Sequence, residues 1–270
     1  MPRPRVHLTE AVILRQRDYA EADRLLTLLT PAGKVVVLAR GVRRPTSRKS
    51  GHLGLFCRSR LMLATGSNMD LVTQAEVIEA HEALGRDLLR YAYASYVAEL
   101  VDLLVPEGEG SPQLFELVSG ALAWFATASD LRLEARRVEL ALLNDAGYMP
   151  SLYKCVVCGN ELVPERNVFD VAQGGLVCAS CSATLTHGVP LSLGAQKVLR
   201  YLGTRSPDQV ALLRIRDSTH QELERVMQAY LQYTLERQLK STEFLKALRA
   251  NLLLHEGASL HDDAEDQAQV

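Results

Sequence analysis

The 270-residue sequence predicts an α+β protein of several parts: a five-stranded N-terminal β-barrel, an α-helical body, and a four-cysteine element inserted in the helical part. Three observations carry this. The first 80 residues are short β-prone runs separated by Gly, Pro and Asn signals. The hydrophobic period then becomes helical, and two Cys-x2-Cys pairs interrupt the helical region. With 47% apolar and 23% charged residues, the chain has a globular balance that excludes a disordered or fibrous protein.

The strands are expected at His7 to Arg15, with β-branched Thr9, Val12 and Ile13, and at Asp23 to Thr30, ended by Pro31-Ala32-Gly33. Lys34 to Arg40 follows, then a basic, turn-rich stretch from Gly41 to Gly54. Leu55 to Thr65, the turn Gly66-Ser67-Asn68 and Asp70 to Glu79 complete the set. Five strands in so short a span fit a small barrel, for which the OB-fold is the reading and an SH3-like barrel the alternative.

From His81 the pattern Leu84, Leu88, Tyr91, Ser95, Leu100, Leu103 and Leu104 predicts one amphipathic helix that stops near Pro106. Ser111 with Pro112 predicts the capped start of a second helix through Leu114, Leu117, Val118, Leu122 and Phe125. Leu131 to Ala146 is a third, ended by Gly147 and Pro150. Residues 151–190 read as an irregular insertion, and helices resume at Ser192 to Leu202 and Ser218 to Leu253. The resulting division is 1–80 for the barrel, 81–150 and 191–253 for the helical domain, 151–190 for the cysteine element, and 254–270 for an acidic tail expected to be disordered.

Charge is distributed unevenly. Residues 1–60 hold 13 Lys+Arg against 4 Asp+Glu, while the rest of the chain holds 17 against 28. A basic front on an acidic body points to an anionic partner for the first segment. Lys34, Arg40, Arg43, Arg44, Arg48, Lys49, Arg58 and Arg60 stand in a stretch without a single acid, and Thr46, Ser47 and Ser50 add hydroxyl donors. On one face of a barrel these residues would hold a phosphate backbone. Before residue 81 only Tyr19 and Phe56 are aromatic, too few for a platform that stacks several bases. The expected binding is therefore backbone-dominated, sequence-tolerant and salt-dependent.

Cys155, Cys158, Cys178 and Cys181 have the spacing of a four-thiolate zinc site, in which two tight knuckles offer a tetrahedron of sulfurs to one ion. Four thiolates leave no open coordination position, so one structural Zn²⁺ is expected; an iron–sulfur cluster and disulfides are the alternatives. His187 is not needed as a ligand, and Cys57 reads as a small buried residue. No P-loop, G-x-G-x-x-G, H-E-x-x-H or G-x-S-x-G motif occurs, so no enzyme is expected. No signal peptide and no apolar run long enough to span a membrane are visible, which gives a cytoplasmic expectation with no membrane partner.

Two stretches carry a family resemblance. Lys34 to Arg44, with Ser47 and Leu53 to Phe56, resembles the third strand and basic loop of the OB-fold of RecO recombination mediators. Glu139 to Leu143, Gly147, Tyr148-Met149-Pro150 and Cys155-Val156-Val157-Cys158-Gly159 resemble the helix of that family that leads into its zinc element. The resemblance spans about residues 8 to 250. It implies binding to single- and double-stranded DNA, annealing of complementary strands, and work with RecR to load RecA onto strands coated by single-stranded-DNA-binding protein (SSB), at the nucleoid. It also implies a contact with the acidic, apolar-ended SSB tail, expected on the helical domain at Leu114, Leu117 and Phe125 near Arg132, Arg136 or Arg137. The alternative from another class is a zinc-ribbon scaffold of a transcription or translation complex that binds RNA.

Overall fold

A computed structural model describes residues 5–183, 185 and 188–252. The expected tail at 254–270 and His187 lie outside the described residues. Strands β1 (Val6–Tyr19), β2 (Asp23–Thr30), β3 (Gly33–Ala39), β4 (Arg58–Ala64) and β5 (Asp70–Glu79) close into a barrel in the order β1-β2-β3-β5-β4. All neighbours are antiparallel except β3 and β5, which is the OB arrangement. Alternation decides which side chains fill it: Leu26 and Leu28 point inward with Ala11, Ile13, Val37, Leu61 and Leu63. β1 runs past the expected Arg15, because Gln16 to Tyr19 continue the hairpin with Asp23 to Leu26. The register shifts between Ile13 and Arg15, and the extra residue, Leu14, packs with Val12 and Leu29 on the helical body.

The helices are α1 (Glu82–Arg86), α2 (Leu88–Leu104), α3 (Pro112–Thr127) and α4 (Leu131–Asp145). The single helix expected from His81 is broken at Asp87, whose extended backbone places its carboxylate over the N–H groups of Leu89 and Arg90 at 2.8 and 3.0 Å. Ser111 caps α3 as expected, accepting from Leu114 N–H at 3.0 Å, and Asp130 does the same for α4 through Leu133.

The insertion at 151–190 is not irregular. It contains β6 (Asn167–Asp170), β7 (Gly175–Val177), the single turn α5 (Ala179–Ser182) and β8 (Val189–Leu191), with the sheet ordered β7-β6-β8. These strands of three or four residues are too short to show an alternation signal. α6 (Leu193–Leu202), α7 (Pro207–Ala211), α8 (Asp217–Leu235) and α9 (residues 240–252) complete the described body. The helix expected from Ser218 to Leu253 is interrupted at Glu236, which takes a left-handed conformation and ends α8.

One hydrophobic core joins the parts. Val12, Leu14, Leu29 and Phe56 of the barrel region belong to the same buried cluster as Tyr96, Phe115, Phe125 and Val138 of the helices and Phe169, Leu176 and Leu191 of the inserted sheet. The chain also bonds across this seam: Lys34 N–H donates to the Glu109 carbonyl and Gly108 N–H to the Lys34 carbonyl. No helix among the described residues is long and apolar enough to cross a membrane.

Candidate metal centre and nucleic-acid interface

The first cysteine knuckle is a tight turn. Gly159 N–H donates to the Cys155 carbonyl at 2.9 Å and Cys155 N–H to the Asn160 carbonyl at 2.8 Å, with Gly159 at φ +75°. Val156 N–H donates to the Leu176 carbonyl, so the knuckle is docked on β7. Gly175 permits that approach, since a Cβ there would sit 2.6 Å from Val156 Cγ1 and 2.8 Å from the Ser151 carbonyl oxygen. The second pair is held by α5, whose Ser182 N–H donates to the Cys178 carbonyl.

The four Sγ atoms of Cys155, Cys158, Cys178 and Cys181 all lie within 4.8 Å of one another, and those of Cys158 and Cys178 are 3.9 Å apart. A tetrahedron with bonds of about 2.3 Å has an edge of about 3.8 Å, so these sulfurs fit a single thiophilic ion. Burial opposes ionisation of Cys155, yet the N–H groups of Cys158, Cys178 and Val157 draw its thiol down to about 6. The Ser180 hydroxyl lowers Cys178, whereas the neighbouring Cys178 and Cys158 push Cys181 up to about 12. A cation among the four would favour the thiolate form of each. The fifth cysteine, Cys57, is buried at 6% exposure, which pushes its thiol up and makes it a poor nucleophile.

The basic segment is pinned rather than loose. Val42 and Leu53 are buried in the barrel core, Gly41 N–H donates to Asp23 Oδ1 at 2.7 Å, and Arg43 N–H donates to the Ala22 carbonyl. With the apolar residues turned inward, Arg40, Arg43, Arg44 and Arg48 are exposed together on this loop. Arg43 lies 3.4 Å from Asp18, while Arg40, Arg44 and Arg48 have no ion pair among the described residues.

The other four basic positions face different surroundings, which corrects their expected placement. Lys34 is 6% exposed; its Nζ donates to the carbonyl and, at 3.1 Å, to the carboxylate of Asp102 in the seam with α2. Arg58 chelates Glu10, reaches Glu116 and Ser119 of α3, and lies over the Phe115 ring. Arg60 stays partly exposed between Glu10 and Glu76. Lys49 donates to the Val72 carbonyl at 2.9 Å, and its partial burial lowers its pKa against the pull of Asp23.

The pocket expected at Leu114, Leu117 and Phe125 is absent in that form. Leu114 and Phe125 are 1% and 0% exposed in the core, where the period of α3 requires them to be. Arg136 and Arg137 are buried against Glu139 and Glu134, and Arg132 pairs with Asp217. Sequence reasoning also missed a groove at the barrel–body seam bordered by Arg15, Arg237 and Lys240. No local signal links residues so distant in the chain.

Comparison with known proteins places this arrangement. Residues 5–81 match the family model for the recombination protein O N terminal region, and residues 85–243 match that for the recombination protein O C terminal region. The DNA repair protein RecO of Roseiflexus sp. (strain RS-1) is 41% identical over 262 residues, covering 97% of this chain and 93% of that protein. The DNA repair proteins RecO of Dehalococcoides mccartyi (strain ATCC BAA-2266 / KCTC 15142 / 195) and Pelotomaculum thermopropionicum are 36% and 37% identical, over 93% and 89% of this chain.

Proposed function

Because the chain belongs to the recombination protein O family of DNA repair proteins, we propose that it is a non-enzymatic, DNA-binding recombination mediator. In this reading it binds single- and double-stranded DNA, anneals complementary strands and, with RecR, helps to load RecA onto SSB-coated single strands. The observation that carries the reading is the pinned loop, on which Arg40, Arg43, Arg44 and Arg48 project together from one barrel without an acid in the segment.

Annealing has a physical basis in such a surface. Two strands repel each other through their phosphates, and arginines that hold backbone reduce this repulsion while leaving base edges free to pair. The four cysteines hold one Zn²⁺ in this proposal. The ion supplies no chemistry to DNA; it fixes the two knuckles against β7. The SSB tail suits a groove of about 330 Å³ between α3, α4 and α6, with Leu117, Leu140, Met149 and Leu202 as apolar walls and Arg205 at the rim. That groove keeps Leu117 and Arg137 from the expected set and replaces Leu114 and Phe125.

The test is annealing of two complementary SSB-coated oligonucleotides without ATP, comparing the unaltered chain with Arg40, Arg43, Arg44 and Arg48 all changed to Ala. The expected result is annealing by the former and its loss in the latter at an unchanged urea midpoint. Annealing by both would place the DNA elsewhere, and annealing by neither would end the mediator reading in favour of an RNA-binding zinc-ribbon scaffold.

A further inference from the structure

We propose that the groove at the barrel–body seam is a single-strand-specific site that takes an unstacked nucleobase, with its flanking phosphates on Arg15, Arg237 and Lys240. This rests on the DNA-binding reading above and extends it to residues outside the basic loop. The groove has a volume of about 480 Å³, within the roughly 300–1,000 Å³ of small-ligand sites, and is built by β1, α2 and the turn between α8 and α9.

Its walls and its rim differ in chemistry. Leu14, Leu55, Phe56, Ala98 and Leu103 supply the apolar part. The two acids present are already engaged: Glu99 accepts from the N–H groups of Lys240 and Ser241 at 3.1 and 2.9 Å, capping α9, and Asp102 holds the buried Lys34. The cations point the other way. The Arg15 side chain is 63% exposed despite an edge contact with Asp102, and Arg237 and Lys240 are exposed. An apolar cleft under a cationic rim matches the two sides of a single-stranded nucleotide, whose base is free and whose phosphate is charged. A duplex keeps its bases stacked and paired and has no base to offer.

The position also fits a continuous strand. Gln16 lines the groove, donates to the Leu53 carbonyl, and accepts from Arg24 at 3.0 Å; Arg24 in turn pairs with Asp18, which contacts Arg43 of the basic loop. A backbone leaving Arg43 therefore runs past the β1–β2 hairpin into the seam. The loop holds either form of DNA, and the groove adds a preference for single strands.

Two variants test this, both read by equilibrium binding of an oligo-dT strand and of a duplex across a salt series. Arg237→Ala with Lys240→Ala, at exposed positions, should weaken single-strand binding about tenfold and flatten its log K–log salt slope by about 1.4, two phosphate contacts at about 0.7 each. Duplex affinity should stay within twofold. Ser95→Tyr, which adds bulk to the groove from α2 without altering its charge, should weaken single-strand binding while leaving the slope unchanged. Equal losses on single strand and duplex, or wild-type single-strand binding by Arg237→Ala with Lys240→Ala, would overturn the site. So would an acidic peptide whose binding depends on Arg237 and Lys240 while single strands are unaffected. Failure of the unaltered chain to bind any DNA would instead bring down the parent reading and this one with it.

Discussion

Lys34→Met separates a structural cation from a DNA-binding one. Lys34 lies in the sequence run that predicts DNA contacts, yet its side chain is 8% exposed and its Nζ donates to Asp102 twice. Met keeps the length and apolar packing of the stem and removes the charge. A charge-assisted hydrogen bond contributes roughly 1.5–3 kcal/mol. The larger loss of about 3–5 kcal/mol for breaking a buried ion pair does not apply in full, because Asp102 is 28% exposed and keeps Arg15 at 3.5 Å. The expected destabilisation is about 2 kcal/mol, a drop of about 1 M in urea midpoint at a denaturant slope of about 2 kcal/mol/M. The salt slope of duplex binding should be unchanged, since Nζ does not reach a phosphate. Arg44→Ala should do the reverse, flattening the slope by about 0.9 with a stability change within about 0.5 kcal/mol. A Lys34→Met protein with a wild-type midpoint and a slope flatter by about 0.9 would refute the assignment.

Metal removal should act locally. Phe169 and Leu176 of the inserted sheet are both 0% exposed in the main core, so a chelator is expected to abolish hydrogen-exchange protection at 154–161 and 178–182 while helical circular dichroism is retained; global unfolding would contradict this. Gly175→Ala forces the first knuckle away from β7 through the 2.6 Å approach to Val156, and should weaken binding of the proposed Zn²⁺ at least tenfold in a chelator competition, whereas unchanged affinity would show that the docking is irrelevant to the ion. Burial raises the Glu139 carboxyl to about 7 from 4.5, although Arg136 and the Tyr96 hydroxyl favour its anion. The folded chain then keeps a proton that the unfolded chain has released, so stability from this group falls as pH rises between about 4.5 and 7. Glu139→Gln should flatten that part of a urea midpoint–pH profile, and superimposable profiles would count against it.

What the sequence disclosed follows the range of the interactions involved. Ser111 and Pro112 could be read as the start of α3 because a cap acts within three residues, and the cysteine pairs could be read because knuckle geometry is encoded in spacing. The break at Asp87 is also local, but the leucine period runs through it and hides it. Strands β6 to β8 are too short for any period, and they exist because Leu176 and Leu191 are buried against helices. The basic run overstated the exposed, unpaired basic surface for a different reason. A charge count along the chain contains no partners: Glu10 and Glu76 reach Arg58 and Arg60 only when β1, β4 and β5 pair, and Asp102 and Glu116 reach Lys34 and Arg58 only when the barrel closes on the helices. The same closure buried Leu114 and Phe125, removing an apolar surface that helical period alone cannot assign to core or pocket.

That division of the cations sets the character expected of the proposed DNA binding. If all eight basic positions met phosphates, duplex affinity would follow salt with a slope near −7 and fall about 10⁴-fold between 50 and 200 mM. If only the four loop arginines, Arg40, Arg43, Arg44 and Arg48, meet phosphates, the expected slope is about −3.6 and the fall about 10²-fold. The weaker dependence suits the proposed annealing, in which the protein must release what it joins. An annealing surface holds two backbones only until their bases pair, and every further phosphate contact would make the finished duplex harder to leave. Lys34 and Arg58 fasten the barrel to the helices through Asp102 and Glu116, so on the mediator reading they serve the fold and leave duplex backbone to the exposed loop arginines.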